Sequence, residues 1–197
     1  MTMQKHGGDI YQREYRLDFS VNVNPLGTPG RVIEAACEGI RHSDRYPDVE
    51  CRKLRAKLAQ AEGVCGERIV FGNGAADLIF ALALAKHPKN VLLPAPTFAE
   101  YEQAVRMAGG QVIYYELPEE EGFLLDEGII EHISQDVDML FLCNPNNPTG
   151  LPLKKELVFR ILERCAACGT MLVVDECFNE FLDVPEAYSV KEYIDRY

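Results

Sequence analysis

Positive charge is scarce in this chain, and long apolar runs are absent. Twenty Lys and Arg face 31 Asp and Glu, a formal net charge of −11. That balance argues against nucleic acid and anionic membranes as partners, since both need basic surface. It does not choose among small-molecule functions. No run of about 18 apolar residues occurs, so no membrane span is expected. The opening Met1-Thr2-Met3-Gln4-Lys5-His6-Gly7-Gly8 lacks the apolar core of a signal peptide, and a cytoplasmic location is expected. No internal repeat, low-complexity tract or obvious linker is present. Cysteine lacks regular spacing: the seven thiols lie at 37, 51, 65, 143, 165, 168 and 177. An odd, irregular set suits reduced thiols rather than a disulfide framework. Cys165-Ala166-Ala167-Cys168 has metal or redox spacing. It lies near the end of a probable helix with no matching second Cys or His pair, so it reads as buried or half-buried thiols, and no metal is expected.

What is present is ordinary for a globular protein: 47% hydrophobic and 26% charged residues, in a chain of one-domain length. Residues 1–29 show little periodicity and several turn formers, Gly7-Gly8, Asn24-Pro25, Gly27 and Pro29. They read as an N-terminal arm. Helical patterns follow near 30–42 and 52–62, with the turn Tyr46-Pro47-Asp48 between them. Short apolar runs at 69–71, 91–93, 111–115, 139–143 and 171–174 read as strands. Helix-like segments near 75–86, 99–108, 126–134 and 154–167 fill the gaps. Repeated β-then-α order predicts an α/β fold, a mostly parallel sheet with helices on both faces. Ligands of such sheets bind beyond the carboxyl ends of the strands.

Three constellations sit at those ends. The first is Gly72-Asn73-Gly74-Ala75-Ala76-Asp77, between Ile69-Val70-Phe71 and an apolar helix. Small residues and a helix N-terminus suit a phosphate; an ordinary glycine-containing turn with Asp77 in the first helical turn is the other reading of the run. It is neither GxGxxG nor a Walker sequence. The second is Pro94-Ala95-Pro96-Thr97-Phe98-Ala99-Glu100-Tyr101. Phe98 either stacks on a flat heterocycle at the mouth of the sheet or is a core aromatic. The third joins Asn144-Pro145-Asn146-Asn147-Pro148-Thr149-Gly150, after Met139-Leu140-Phe141-Leu142-Cys143, with Asp175-Glu176, after Met171-Leu172-Val173-Val174. Asp175 either stabilises a protonated pyridine or caps the next turn. The Asn-Pro run either presents Asn147 or is simply a rigid loop. All three occur in order, each behind a strand.

Together these segments resemble the fold-type I pyridoxal 5'-phosphate (PLP) enzymes, in the aminotransferase branch that includes histidinol-phosphate aminotransferase. The resemblance covers essentially the whole chain. A finer resemblance, to the L-threonine O-3-phosphate decarboxylases of cobalamin biosynthesis, rests on His6-Gly7-Gly8-Asp9-Ile10-Tyr11, on the run from Leu17 to Gly27 and on Arg45-Tyr46-Pro47-Asp48. Gly72-Asn73-Gly74, Phe98-Ala99-Glu100-Tyr101 and Asp175-Glu176-Cys177-Phe178 agree with it. The resemblance implies PLP as cofactor and a phosphorylated amino acid as substrate. It implies that Gly74 and the Ala75 and Ala76 amides hold the cofactor phosphate. Phe98 stacks on the ring, Asn147 meets the ring oxygen and the substrate carboxylate, and Asp175 pairs with the ring nitrogen. Tyr46 reaches the partner's cofactor phosphate across a homodimer, and His6, Gly7 and Asn22 contact substrate. Aminotransferases of the branch often carry Tyr at the places of Phe98 and Phe178. A Cα–carboxylate bond held perpendicular to the ring gives carbon dioxide and (R)-1-amino-2-propanol O-2-phosphate; a Cα–H bond held so gives transamination.

The resemblance also exposes what the chain lacks. The family's Schiff-base lysine follows in a Ser/Thr-x-x-Lys segment, and none occurs after Asp175. Lys191 reads as part of an exposed helix, not as that lysine, so no catalytic residue is assigned. The family's carboxylate- and phosphate-binding arginines are absent too. On this reading, residues 1–44 are arm and first helix, and 45–197 are an incomplete PLP-binding large domain. The sheet is expected to have a gap and unpaired edges, and the chain to be poorly stable, aggregation-prone and inactive. The alternatives are an aminotransferase of the histidinol-phosphate type and a non-catalytic remnant that binds a partner or a phosphate.

Overall fold

The central strands are apolar runs buried on both sides. In β1 (Asn90–Ala95) the run Val91-Leu92-Leu93-Pro94 is buried, and in β3 (Met139–Cys143) every residue is. Alternate residues of such a strand point to opposite faces, so both faces must be covered. The computed structural model describes residues 7–8, 11 and 16–197. The expectation for His6 lies outside the described residues. The chain forms two compact units, one up to Phe71 and one from Gly72 to Tyr197.

The second unit carries the sheet. Its order is β2-β1-β3-β4, with β2 at Gln111–Glu116 and β4 at Met171–Asp175, and every pairing is parallel. Helices α3 (Gly74–Lys86) and α4 (Ala99–Met107) cover one face. There Ile79, Ala83, Tyr101, Ala104 and Val105 pack on Val91, Leu93, Met139, Phe141 and Cys143. Helix α5 (Lys155–Cys168) covers the other, where Val158, Ile161 and Cys165 meet Leu92, Leu140 and Leu142. The α/β reading with helices on both faces is what the structure shows. Helix α5 stops at Gly169, which adopts the left-handed conformation (φ 75°) that glycine takes without a Cβ penalty.

One sequence expectation needs correction. Residues 69–71 form no strand. They end the first unit as extended coil, and a three-residue run without a pairing neighbour has no ladder to stabilise it. The Ile69 carbonyl is instead taken by Arg55, whose guanidinium also lies 5.3 Å from the centre of the Phe71 ring. The helix-like segment near 126–134 is a 3-10 helix, Glu127–His132. Asp126 caps it through Gly128 N–H, and a Cβ on Gly128 would sit 2.6 Å from the Tyr115 hydroxyl.

The first unit holds α1 (Gly30–Ile40) and α2 (Arg52–Glu62). Asp48 receives the Arg52 amide at 2.9 Å and pairs with its guanidinium at 2.6 Å, fixing the start of α2.

Candidate functional site

The site is built at the carboxyl ends of β1, β3 and β4 and the amino end of α3. Asp175 ends β4 directly beside Cys143, its register partner at the end of β3. Its carboxylate is held from two sides: Oδ1 accepts from Cys177 N–H at 3.0 Å, and Oδ2 accepts from the Tyr101 hydroxyl at 2.8 Å. Each carboxylate oxygen has a second lone pair, so the group is oriented and still able to accept another donor.

Tyr101 is fully buried on α4. Its ring stacks on Phe141, centroids 4.8 Å apart, and meets Phe98 edge-to-face at 5.5 Å. Burial, then the neighbouring Asp175 carboxylate, pushes the phenol far above its ordinary value. It therefore acts as a donor at any working pH. Burial likewise raises the Cys143 thiol, and burial followed by the Asp175 charge raises Cys177. Neither cysteine is poised as a thiolate.

The loop after β3 is fastened by two buried asparagines. Asn144 Oδ1 accepts from Leu153 N–H at 2.8 Å, and its amide donates to the Tyr188 carbonyl at 3.1 Å. Asn146 Oδ1 accepts from Thr97 at 2.9 Å, and its amide donates to the Pro96 carbonyl and to Thr149, both at 3.0 Å. These bonds tie the Phe98 loop to the Asn147 loop. Asn147 itself is half-buried, with its backbone N–H on the Cys143 sulfur. At α3, Gly74 opens the helix with φ +84° and empty space where a Cβ would stand. The N-cap Asn73 side chain makes no capping bond, while Asp77 receives the Asn73 amide at 2.9 Å. Ala75 and Phe98 both pack against the cluster that contains Tyr101.

The sequence-predicted residues of the second unit thus converge. Ala75, Phe98, Asn147 and Asp175 are joined through Tyr101 and Cys143, with Gly74 and Ala76 flanking Ala75. Gly7, Asn22 and Tyr46 belong to the first unit. Gly7 lies so close to the Ser20 carbonyl that a Cβ would sit 2.0 Å from its oxygen, and Gly8 N–H donates to the Ser20 hydroxyl at 2.9 Å. This brings the Gly-Gly arm beside the segment that ends in Asn22. Asn22 and Tyr46 are exposed. Lys191 lies in a 3-10 turn, Lys191–Tyr193, beside a groove lined by α5 residues such as Val158 and Leu162. Sequence reasoning missed Tyr101, Asn144 and Asn146. Only the three-residue step from Phe98 to Tyr101, one helical turn, hinted at a shared face. A cavity of about 410 Å³ lined by Leu142, Leu153 and Leu157 contains none of the cofactor-site residues.

The arrangement fits a phosphorylated pyridine: a fixed acid, an aromatic face, a half-buried amide and an uncapped helix start. Comparison with known proteins agrees. Residues 16–196 match the model of the family described as aminotransferase class I and II, and the chain belongs to that family. The family is PLP-dependent. The chain is 36% identical to the threonine-phosphate decarboxylase of Salmonella typhimurium, covering 90% of this chain and 51% of that protein. It superposes on the histidinol-phosphate aminotransferase of Clostridium acetobutylicum with a TM-score of 0.79 at 32% identity, over 90% of this chain and 52% of that one. The L-threonine-O-3-phosphate decarboxylase of Porphyromonas gingivalis gives a TM-score of 0.64 at 29% identity, over 78% and 44%. The chain spans about half the length of the curated relatives it matches. The fold is therefore the PLP-transferase fold, over about half the length of those relatives.

Proposed function

We propose that residues 72–197 form the ring-and-phosphate half of a PLP site in a protein that decarboxylates L-threonine O-3-phosphate. The observation that carries the reading is the Asp175 carboxylate, held by two donors at the end of β4. When bound, the cofactor supplies an electron sink for the pair released at the substrate Cα. Asp175 places a negative charge opposite the ring nitrogen and favours its protonated form. Phe98 covers one ring face. Asn147 donates to the ring oxygen and orients the substrate carboxylate. Gly74 leaves room for the phosphate, which the Ala75 and Ala76 amides receive at the positive end of α3. The buried Tyr101, Phe141 and Cys143 keep water from beneath the site. By resemblance, His6, Gly7 and Asn22 are assigned to the substrate, with the His6-Gly7 arm at its phosphate end, and Tyr46 to the partner's cofactor phosphate in a homodimer. Identity to the Salmonella decarboxylase supports the substrate assignment.

A second reading, an aminotransferase acting on histidinol phosphate, is favoured by the higher TM-score of the Clostridium enzyme, 0.79 against 0.64. The test is a titration of the 197-residue chain with pyridoxamine 5'-phosphate, which needs no lysine to be held. We expect saturable binding. Asp175→Asn should weaken it about 10- to 100-fold, the worth of one charge-assisted hydrogen bond. Binding that ignores Asp175 would overturn the cofactor assignment. No Ser/Thr-x-x-Lys follows β4 in this sequence, so binding without turnover is expected. With PLP added, L-threonine O-3-phosphate should perturb the bound cofactor's absorbance at lower concentration than histidinol phosphate. The reverse order would favour the aminotransferase.

A further inference from the structure

We infer that Tyr101 is a positioning residue for the cofactor site, fixing in one side chain both the acid and the ring-stacking aromatic. The inference rests on the PLP reading of Asp175 and Phe98. Tyr101 is fully buried and makes two ring contacts: it stacks on Phe141 at 4.8 Å, and it meets Phe98 edge-to-face at 5.5 Å. The ring is thereby held in one orientation, and its hydroxyl reaches Asp175 Oδ2 at 2.8 Å. Cys177 N–H holds the other oxygen at 3.0 Å. Two donors on two oxygens define the carboxylate plane. With either one alone, the group can turn about its Cβ–Cγ bond. The carboxylate plane sets where the free lone pairs of Asp175 point, and the Phe98 contact sets the placement of the aromatic face that would stack on the cofactor ring. Tyr101 links these two coordinates. The hydroxyl is engaged with Asp175 and the ring with Phe98, so Tyr101 acts through those two side chains.

Positioning differs from a merely structural role in what it moves. Tyr101→Phe keeps the ring, its stacking and its volume, and removes only the hydroxyl. We expect the variant to melt within a few degrees of the parent chain. In the ligand-free protein, Cys177 N–H should exchange with solvent at least several-fold faster, because its acceptor is free to turn. Bound pyridoxamine 5'-phosphate labelled with ¹⁵N at the ring should show a less protonated nitrogen, and its affinity should fall about tenfold. Tyr101→Leu, which also removes the Phe98 contact, should weaken binding further. Unchanged Cys177 exchange in Tyr101→Phe, or unchanged nitrogen protonation and affinity, would overturn the inference. So would loss of binding that merely parallels loss of folded protein. A parent chain that does not bind pyridoxamine 5'-phosphate would overturn the cofactor reading instead, while the Cys177 exchange still decides whether Tyr101 holds Asp175.

Discussion

Asn146 shows how much of this site is carried by side chains that touch no ligand. It is 9% exposed and makes three side-chain hydrogen bonds, to Thr97, Pro96 and Thr149. All three partners lie in loops, which have no ladder of their own to hold them. Asn146→Ala should leave these groups unpaired and destabilise the chain by about 1–3 kcal/mol, read as a lower urea midpoint. Asn146→Asp should cost more, since it loses two donors and buries a charge. An alanine variant as stable as the parent would show that the loops are held elsewhere. Asn147 was legible in the sequence because the resemblance singles it out. Its neighbour was not, because the same residue type in the same motif turns inward, and only packing distinguishes the two.

Among the elements, β4 is the one whose burial its own residues did not reveal, and the expectation of unpaired sheet edges came from the resemblance. The run Met171-Leu172-Val173-Val174 is as apolar as β3, yet every residue of β4 is only half-buried, whereas all of β3 is buried. The cause is position: β4 pairs with β3 and has no second neighbour among the described residues. Along it runs a groove of about 710 Å³, lined by Met171, Leu172 and Val174 with α5 and residues 190–197. Hydrogen exchange should follow this order. Amides of β3 should be protected to near the global unfolding limit, while alternate amides of β4, those not bonded to β3, should exchange orders of magnitude faster. Equal protection along β3 and β4 would mean that something pairs with the edge in solution. The run at 69–71 failed as a strand for a related reason: three apolar residues satisfy a pattern, but a strand exists only where another strand lies beside it.

For the molecule as a whole, pH acts through buried thiols as well as surface acids. Burial pushes the Cys165 thiol from an ordinary 9.0 up to about 12, and it raises Cys143 as well. The folded form keeps its proton where the unfolded form has lost it. This contribution to stability is therefore full below about pH 9 and is lost as pH rises from there towards about 12. Urea midpoints should hold steady between about pH 7 and 9 and fall clearly by about pH 11, with a shallower fall in Cys165→Ala. An identical slope in that variant would place the effect elsewhere. The same burial predicts that exposed Cys37 and Cys65 react with alkylating agents well before Cys143 and Cys165.

Pattern alone settled the α/β class, the parallel sheet and the order of the three constellations. Hydrophobic periodicity and turn residues are local properties, and a run such as Met139–Cys143 must be a doubly buried strand wherever it lies. Resemblance added the family and the cofactor. Only the folded chain revealed that Tyr101 joins Phe98 to Asp175, that Asn146 binds two loops together, and that Gly7 closes on Ser20. Each of these contacts joins residues on separate elements or distant segments, except the step from Phe98 to Tyr101. The separation of 74 residues between Tyr101 and Asp175 leaves no periodic trace in the sequence. Their meeting is decided by the register of β3 against β4 and by the packing of α4 on the sheet.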